Sequence, residues 1–71
     1  MTIKDFIHHF KHLGYQDILV CIQEYALYAK VENYSIHVPL SDLLEIGIAL
    51  EDAMTDLSLQ MGRGVLLEAV E

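Results

Sequence analysis

The chain has 71 residues, of which 54% are apolar, and its formal net charge at pH 7 is -7. This length allows a single domain with a small core, because a chain of roughly 60 residues buries only about 60% of the surface that its unfolded form exposes. The apolar fraction exceeds the roughly 45–50% that is usual for soluble domains. We therefore expect part of the apolar surface to lie at an interface, and self-association as a homodimer is the simplest such arrangement.

The negative charge lies in the second half of the sequence. Residues 1–30 contain three lysines and three acidic residues, whereas residues 31–71 contain eight acidic residues and one arginine. An acidic surface of this kind repels the phosphate groups of nucleic acids and attracts basic proteins. We expect no direct binding to nucleic acid, and we expect a protein partner with a basic or an apolar surface.

The compartment can also be predicted from the sequence. No apolar run approaches the roughly 18 residues of a membrane-spanning helix, and the N-terminal residues form no apolar signal core. Cys21 is the only cysteine, which excludes an internal disulfide. These features predict a cytoplasmic protein, in a bacterium or in a host cell, that makes no contact with membranes.

The first predicted helix spans residues 3–13. Thr2 can cap its N-terminus, and Gly14 can adopt the left-handed conformation that ends a helix. The apolar residues of this segment recur at helical spacing: Ile3, Phe6, Ile7, Phe10 and Leu13. They form one stripe, which predicts that the helix packs against the core along one side.

The second predicted helix spans residues 16–32. Its apolar run at residues 18–22 is also compatible with a buried strand, but residues 23–30 continue the segment with good helix formers. This continuation favours a helix. Such a helix would have apolar residues on two opposite faces and would be buried on both.

The third predicted helix spans residues 40–61 and follows an extended segment at residues 33–38 that ends before Pro39. Its apolar residues alternate spacings of four and three, as in the seam between packed helices: Leu43, Gly47, Leu50, Met54, Leu57 and Met61. Residues 65–70 form an apolar tail that is too short to fold alone. The sequence thus predicts an all-α fold, a small three-helix domain with a short docked C-terminal tail, in a dimer.

Two surfaces are predicted to bind partners. An acidic stripe lies opposite the apolar seam of the third predicted helix and would attract a basic surface: Asp42, Glu45, Asp52 and Asp56. An apolar interface, for a second copy of the chain or another partner, would use the second face of the second predicted helix and the tail: Val20, Leu27, Val31, Leu66 and Leu67.

A cluster of histidines on the first predicted helix is the only candidate for chemistry. His8 and His12 have the spacing that can place two imidazoles on one metal ion, with Asp5 and His9 nearby. No cysteine and no His-Glu-x-x-His order accompanies them, so a solvated polar face is the favoured interpretation and no metal or other cofactor is expected. The alternative roles of this cluster are weak metal binding and a response to pH near 6.

The sequence contains no arrangement of residues that predicts an enzyme. We therefore expect a small acidic protein-protein interaction module, an inhibitor or adaptor of the type found in phages and mobile elements. Such a module would block a host nucleic-acid-handling or defence protein through the acidic helix face. The alternatives are an assembly subunit or chaperone-like module that binds through apolar helix surfaces, and a histidine-based metal or pH sensor.

Overall fold

The computed structural model of the chain describes residues 1–41 and 43–62. These residues form helix α1 (Ile3–His12), strands β1 (Ile18–Gln23), β2 (Ala26–Val31) and β3 (Tyr34–Pro39), a short 3-10 helix (Leu43–Glu45), and helix α2 (Ile46–Gln60). The fold is therefore a small α+β fold, and the prediction of an all-α, three-helix domain is wrong. Neither of the two described α-helices is long and apolar enough to cross a membrane.

The error lies in the second predicted helix, whose residues form β1, a tight turn and β2. Strand β1 pairs with β2 from Ile18 opposite Val31 to Gln23 opposite Ala26, so only Glu24 and Tyr25 remain for the turn. Both turn residues have positive φ angles, 50° and 62°. Two-residue hairpin turns normally use Asn-Gly or Asp-Gly at such positions, and neither pair is present here. The turn therefore left no signal in the sequence.

The three strands form an antiparallel sheet in the order β1-β2-β3. Strand β3 pairs with β2 from Val31 opposite Tyr34 to Ala26 opposite Pro39. Glu32, with a φ angle of 55°, and Asn33 form the turn between them. The extended segment predicted at residues 33–38 thus corresponds closely to β3.

Both helices pack on the same face of the sheet, and the core lies between the two layers. Side chains of α1, β2 and α2 meet there with almost no exposed surface: Phe6, Phe10, Leu27, Ala29, Val31, Leu50, Ala53, Met54 and Leu57. On β2 the buried side chains alternate with exposed ones, since successive residues of a strand point to opposite faces. The opposite face of the sheet, which neither described helix covers, is called the outer face below.

Helices α1 and α2 agree better with the helices predicted from the sequence. Helix α1 begins after Thr2, whose Oγ1 accepts a hydrogen bond from the Asp5 N–H at 3.1 Å while the Asp5 carboxylate accepts one from the Thr2 N–H. The first predicted helix is confirmed to within one residue. The third predicted helix begins six residues too early, at residue 40 instead of Ile46, because Leu40 still donates its N–H to the carbonyl of Tyr25. The predicted C-terminal tail lies outside the described residues.

Candidate interaction surfaces

Helix α2 separates its side chains into an inner and an outward face. The inner face carries Leu50, Met54 and Leu57, which the core encloses completely. We define the outward face of α2 as the exposed residues Ile48, Asp52, Asp56 and Leu59, together with the exposed Glu45 at the N-cap position of the helix. Of the four acidic residues predicted as a binding stripe, Glu45, Asp52 and Asp56 are therefore brought together on one side of the helix. Asp42 lies outside the described residues.

Large apolar side chains accompany these carboxylates, which the sequence reasoning did not predict. Ile48 is 59% exposed and Leu59 is 65% exposed, and they lie near opposite ends of the outward face. The two are eleven residues apart, about 16 Å along a helix with a rise of 1.5 Å per residue. One feature of the sequence could have indicated their exposure: neither Ile48 nor Leu59 belongs to the apolar seam of the third predicted helix. The outward face of α2 is thus a mixture of negative charge and apolar surface.

A small cleft borders this face where β3 leads into α2. It has a volume of about 140 Å³, and Pro39, Leu40, Glu45, Ile48 and Asp52 are among its lining residues. Sites for small molecules usually enclose roughly 300–1,000 Å³. The cleft is therefore too small for a drug-sized ligand, and its two carboxylates lie at an exposed surface suited to contact with another macromolecule.

The predicted apolar interface requires a correction. Leu27 and Val31 have no exposed surface, so they belong to the core of the chain and are not available to a partner. Val20 lies opposite Ala29 on the inner side of β1, where it packs partly buried against the core. These positions were assigned to a helix face, whereas the period of two in a strand turns all three towards the core. Leu66 and Leu67 lie outside the described residues.

The outer face of the sheet provides a second exposed surface. Alternation and strand register place nine residues on this side of the sheet, of which Ala26 is buried: Leu19, Cys21, Gln23, Ala26, Tyr28, Lys30, Ser35, His37 and Pro39. Leu19 is 58% exposed, and the ring of Tyr28 stacks on that of His37 with centroids 4.8 Å apart. None of these nine residues is acidic. In a chain of net charge -7, this surface therefore differs sharply from the outward face of α2.

A depression marks the centre of the outer face. It has a volume of about 410 Å³ and is lined by Leu19, Tyr28, Lys30, Ser35, Ile36 and His37. The register explains this group, because Leu19, Lys30 and Ser35 form one row across the three strands and Tyr28 and His37 belong to the next row. The depression combines an apolar floor with the positive charge of Lys30.

The histidines of α1 do not converge on a metal site. His8 and His12 are exposed, and the carboxylate of Asp5 accepts the N–H of Thr2 in the helix cap. Across the described residues, no group of three or more His, Cys, Asp or Glu side chains is placed to hold a metal ion. The candidate set Asp5, His8, His9 and His12 is therefore spread along the helix rather than assembled.

His9 differs from its neighbours because it is partly buried. Its ring meets that of Phe10 edge-on, with centroids 5.5 Å apart, and its Nε2 atom is buried without a hydrogen-bond partner in the described part of the chain. Burial lowers the pKa of His9 below its ordinary value of 6.5, and the nearby charge of His12 lowers this pKa further. The neutral ring is consequently the form that suits the folded chain.

Both exposed surfaces combine charged and apolar groups. The outward face of α2 offers carboxylates to basic groups, and the outer face of the sheet offers an apolar depression beside a lysine. Mixed surfaces of this kind are typical of protein-protein contacts, in which an apolar centre is surrounded by polar groups. No protein-family model, curated protein or solved structure matches the chain.

Proposed function

We propose that the chain is a protein-protein interaction module that binds a basic surface of its target through the outward face of α2. The observation that carries this proposal is that three exposed carboxylates and two exposed apolar side chains share one face: Glu45 at the start of α2, and Asp52, Asp56, Ile48 and Leu59 on the helix. The apolar residues would enter pockets of the target, and the carboxylates would pair with its lysines or arginines.

The charge distribution supports an inhibitor or adaptor as the type of module. Asp52 and Asp56 lie one helical turn apart, so the helix displays negative charge at intervals of about 6 Å. A target that handles nucleic acid has a basic surface for phosphate groups, and a row of carboxylates can occupy the same surface. A host nucleic-acid-handling or defence protein is therefore the class of target that we propose, with blocking of its basic surface as the mechanism.

The experiment compares two double variants that change the net charge equally. Asp52→Asn/Asp56→Asn removes two carboxylates from the outward face of α2, whereas Asp17→Asn/Glu24→Gln removes two exposed carboxylates elsewhere. The probe is an immobilised oligo-arginine peptide, and binding is measured by biolayer interferometry at low and high salt. Each exposed charge pair contributes up to about 1 kcal/mol, so the α2 variant should bind about tenfold more weakly.

The control variant should bind almost as well as the unmodified chain, and added salt should weaken binding of both. Equal loss in the two double variants would mean that only the net charge matters, and the proposed face would then be wrong. The same α2 variant should lose its target from a lysate of the native host while the control variant retains it.

A second candidate function, an assembly subunit or chaperone-like module, is favoured by the exposed Leu19 on the outer face of the sheet. The apolar binding surface, which the sequence predicted on helices, would then lie on a strand. Binding through this surface would be insensitive to salt and unchanged in the α2 variant. The same experiment therefore distinguishes the two functions.

A further inference from the structure

The outward face of α2 and the outer face of the sheet differ in charge. Both helices pack on the inner face of the sheet, so the outward face of α2 points away from the sheet, and the two surfaces adjoin at the cleft that Pro39 and Ile48 help to line. The first carries Glu45, Asp52 and Asp56, and the second carries Lys30 and His37 with no acidic residue. One surface is thus complementary in charge to the other, but neither is complementary to itself.

The shapes of the two surfaces are also complementary. The outer face contains a depression of about 410 Å³ beside Leu19 and Tyr28, whereas the outward face of α2 projects Ile48 and Leu59 into solvent. Strands of six residues are about 20 Å long, and the two projecting side chains are about 16 Å apart along their helix. A single α2 helix can therefore lie across one outer face with both apolar side chains in contact.

We propose that the chain associates with itself head to tail, with the outward face of α2 of one copy seated on the outer face of the sheet of the next. Ile48 or Leu59 fills the depression, and the carboxylates of Asp52 and Asp56 lie near Lys30 of the adjoining copy. Because the two contact surfaces are different, the contact is heterologous and does not close in a dimer. Association continues with rising concentration, and it covers the acidic surface that a target would need.

The test uses two variants that block opposite ends of the contact. Lys30→Glu places a carboxylate on the outer face, and Ile48→Asp/Leu59→Asp removes the apolar side chains of α2. All three positions are exposed, so both variants should remain folded, and circular dichroism is used to test this. Lys4→Glu on α1 is the matched control, since it makes the same change of charge at an exposed position outside both surfaces. The average mass in solution is measured by sedimentation equilibrium.

We expect the mass of the unmodified chain and of Lys4→Glu to rise beyond that of a dimer as the concentration approaches about 1 mM, since small contacts of this kind are weak. Each blocked variant alone should remain monomeric. An equimolar mixture of the two should form dimers and nothing larger, because only one intact surface of each kind remains. Added salt should reduce the association of the unmodified chain.

Three results would overturn the proposal. The unmodified chain could remain monomeric at 1 mM, or the mixture of blocked variants could fail to associate. The third result is a dimer that does not grow with concentration. If Lys30→Glu abolished this dimer and Ile48→Asp/Leu59→Asp retained it, two sheets would pack face to face instead. None of these results bears on oligo-arginine binding, so the proposed function can hold while this contact fails.

Discussion

The two faces of the sheet differ in composition and in exposure, since the inner face is almost entirely apolar and the outer face mixes apolar and polar residues. On the inner face, Leu27, Ala29 and Val31 have almost no exposed surface, because α1 and α2 cover them. On the outer face, Leu19 is largely exposed, and Tyr28 reaches solvent beside its stacked partner His37. The apolar excess of the sequence is therefore divided between a closed core and an open surface, and composition alone cannot say which residue belongs to which.

The largest expected effect compares two leucines on opposite faces. Leu27→Ala should lower the free energy of unfolding by about 2–5 kcal/mol, because it leaves a cavity in the core. Leu19→Ala should change it by less than about 0.5 kcal/mol, since the side chain is mostly in solvent. Urea unfolding followed by circular dichroism measures both. Equal losses in the two variants would contradict the assignment of the faces.

An intermediate effect is expected at the turn that sets the register of β1 and β2. Glu24→Asn/Tyr25→Gly places a favoured pair at the two positive φ angles and should raise the free energy of unfolding by about 1 kcal/mol. The matched control is Asn33→Gly in the other turn, at a residue without a positive φ angle, which should not stabilise the chain. Destabilisation by the Asn-Gly pair would show that this hairpin has a different turn.

The smallest expected effect is on the pH dependence of stability and comes from His9 of helix α1. Its pKa in the folded chain lies below 6.5, mainly through burial, so the unfolded chain binds the proton more readily. The contribution of neutral His9 to stability is present above pH 6.5 and is lost as the pH falls from that value through the lower folded pKa. Urea unfolding at pH 7.5 and 5.5 should show a smaller decrease for His9→Gln than for the unmodified chain. Identical decreases would exclude His9 as a source of the pH dependence.

The helices could be predicted from the sequence because each carries its own local signal. The apolar residues Phe6 and Phe10 recur at helical spacing after the cap at Thr2, and Leu50, Met54 and Leu57 follow the same rule in α2. These patterns need no knowledge of distant residues. The boundary of α2 was less certain, because Leu40 is held by a hydrogen bond to Tyr25, which is remote in sequence.

The sheet could not be predicted because its evidence is not local. Residues 23–30 include good helix formers, and the turn at Glu24 and Tyr25 has neither glycine nor asparagine. Strand pairing and burial against two helices outweigh the weak preference of these residues for a helix. The same error moved Leu27 and Val31 from the core to an interface. Asp52 and Asp56 share one exposed side of α2, with Glu45 just before it, because their common side depends only on helical periodicity; their role in binding stays a prediction.

The two-residue turn between β1 and β2 also limits how the chain can change in length. Gln23 pairs with Ala26 directly beside the turn, so the hairpin has no unpaired residue that could compensate for a change in strand register. Deleting one residue within β2 would move every following side chain of that strand to the other face and expose Leu27 or its neighbours to water. Variants that gain or lose single residues should therefore survive selection for folding near Gly14 or Gly62, outside the regular elements, and be eliminated within the hairpin.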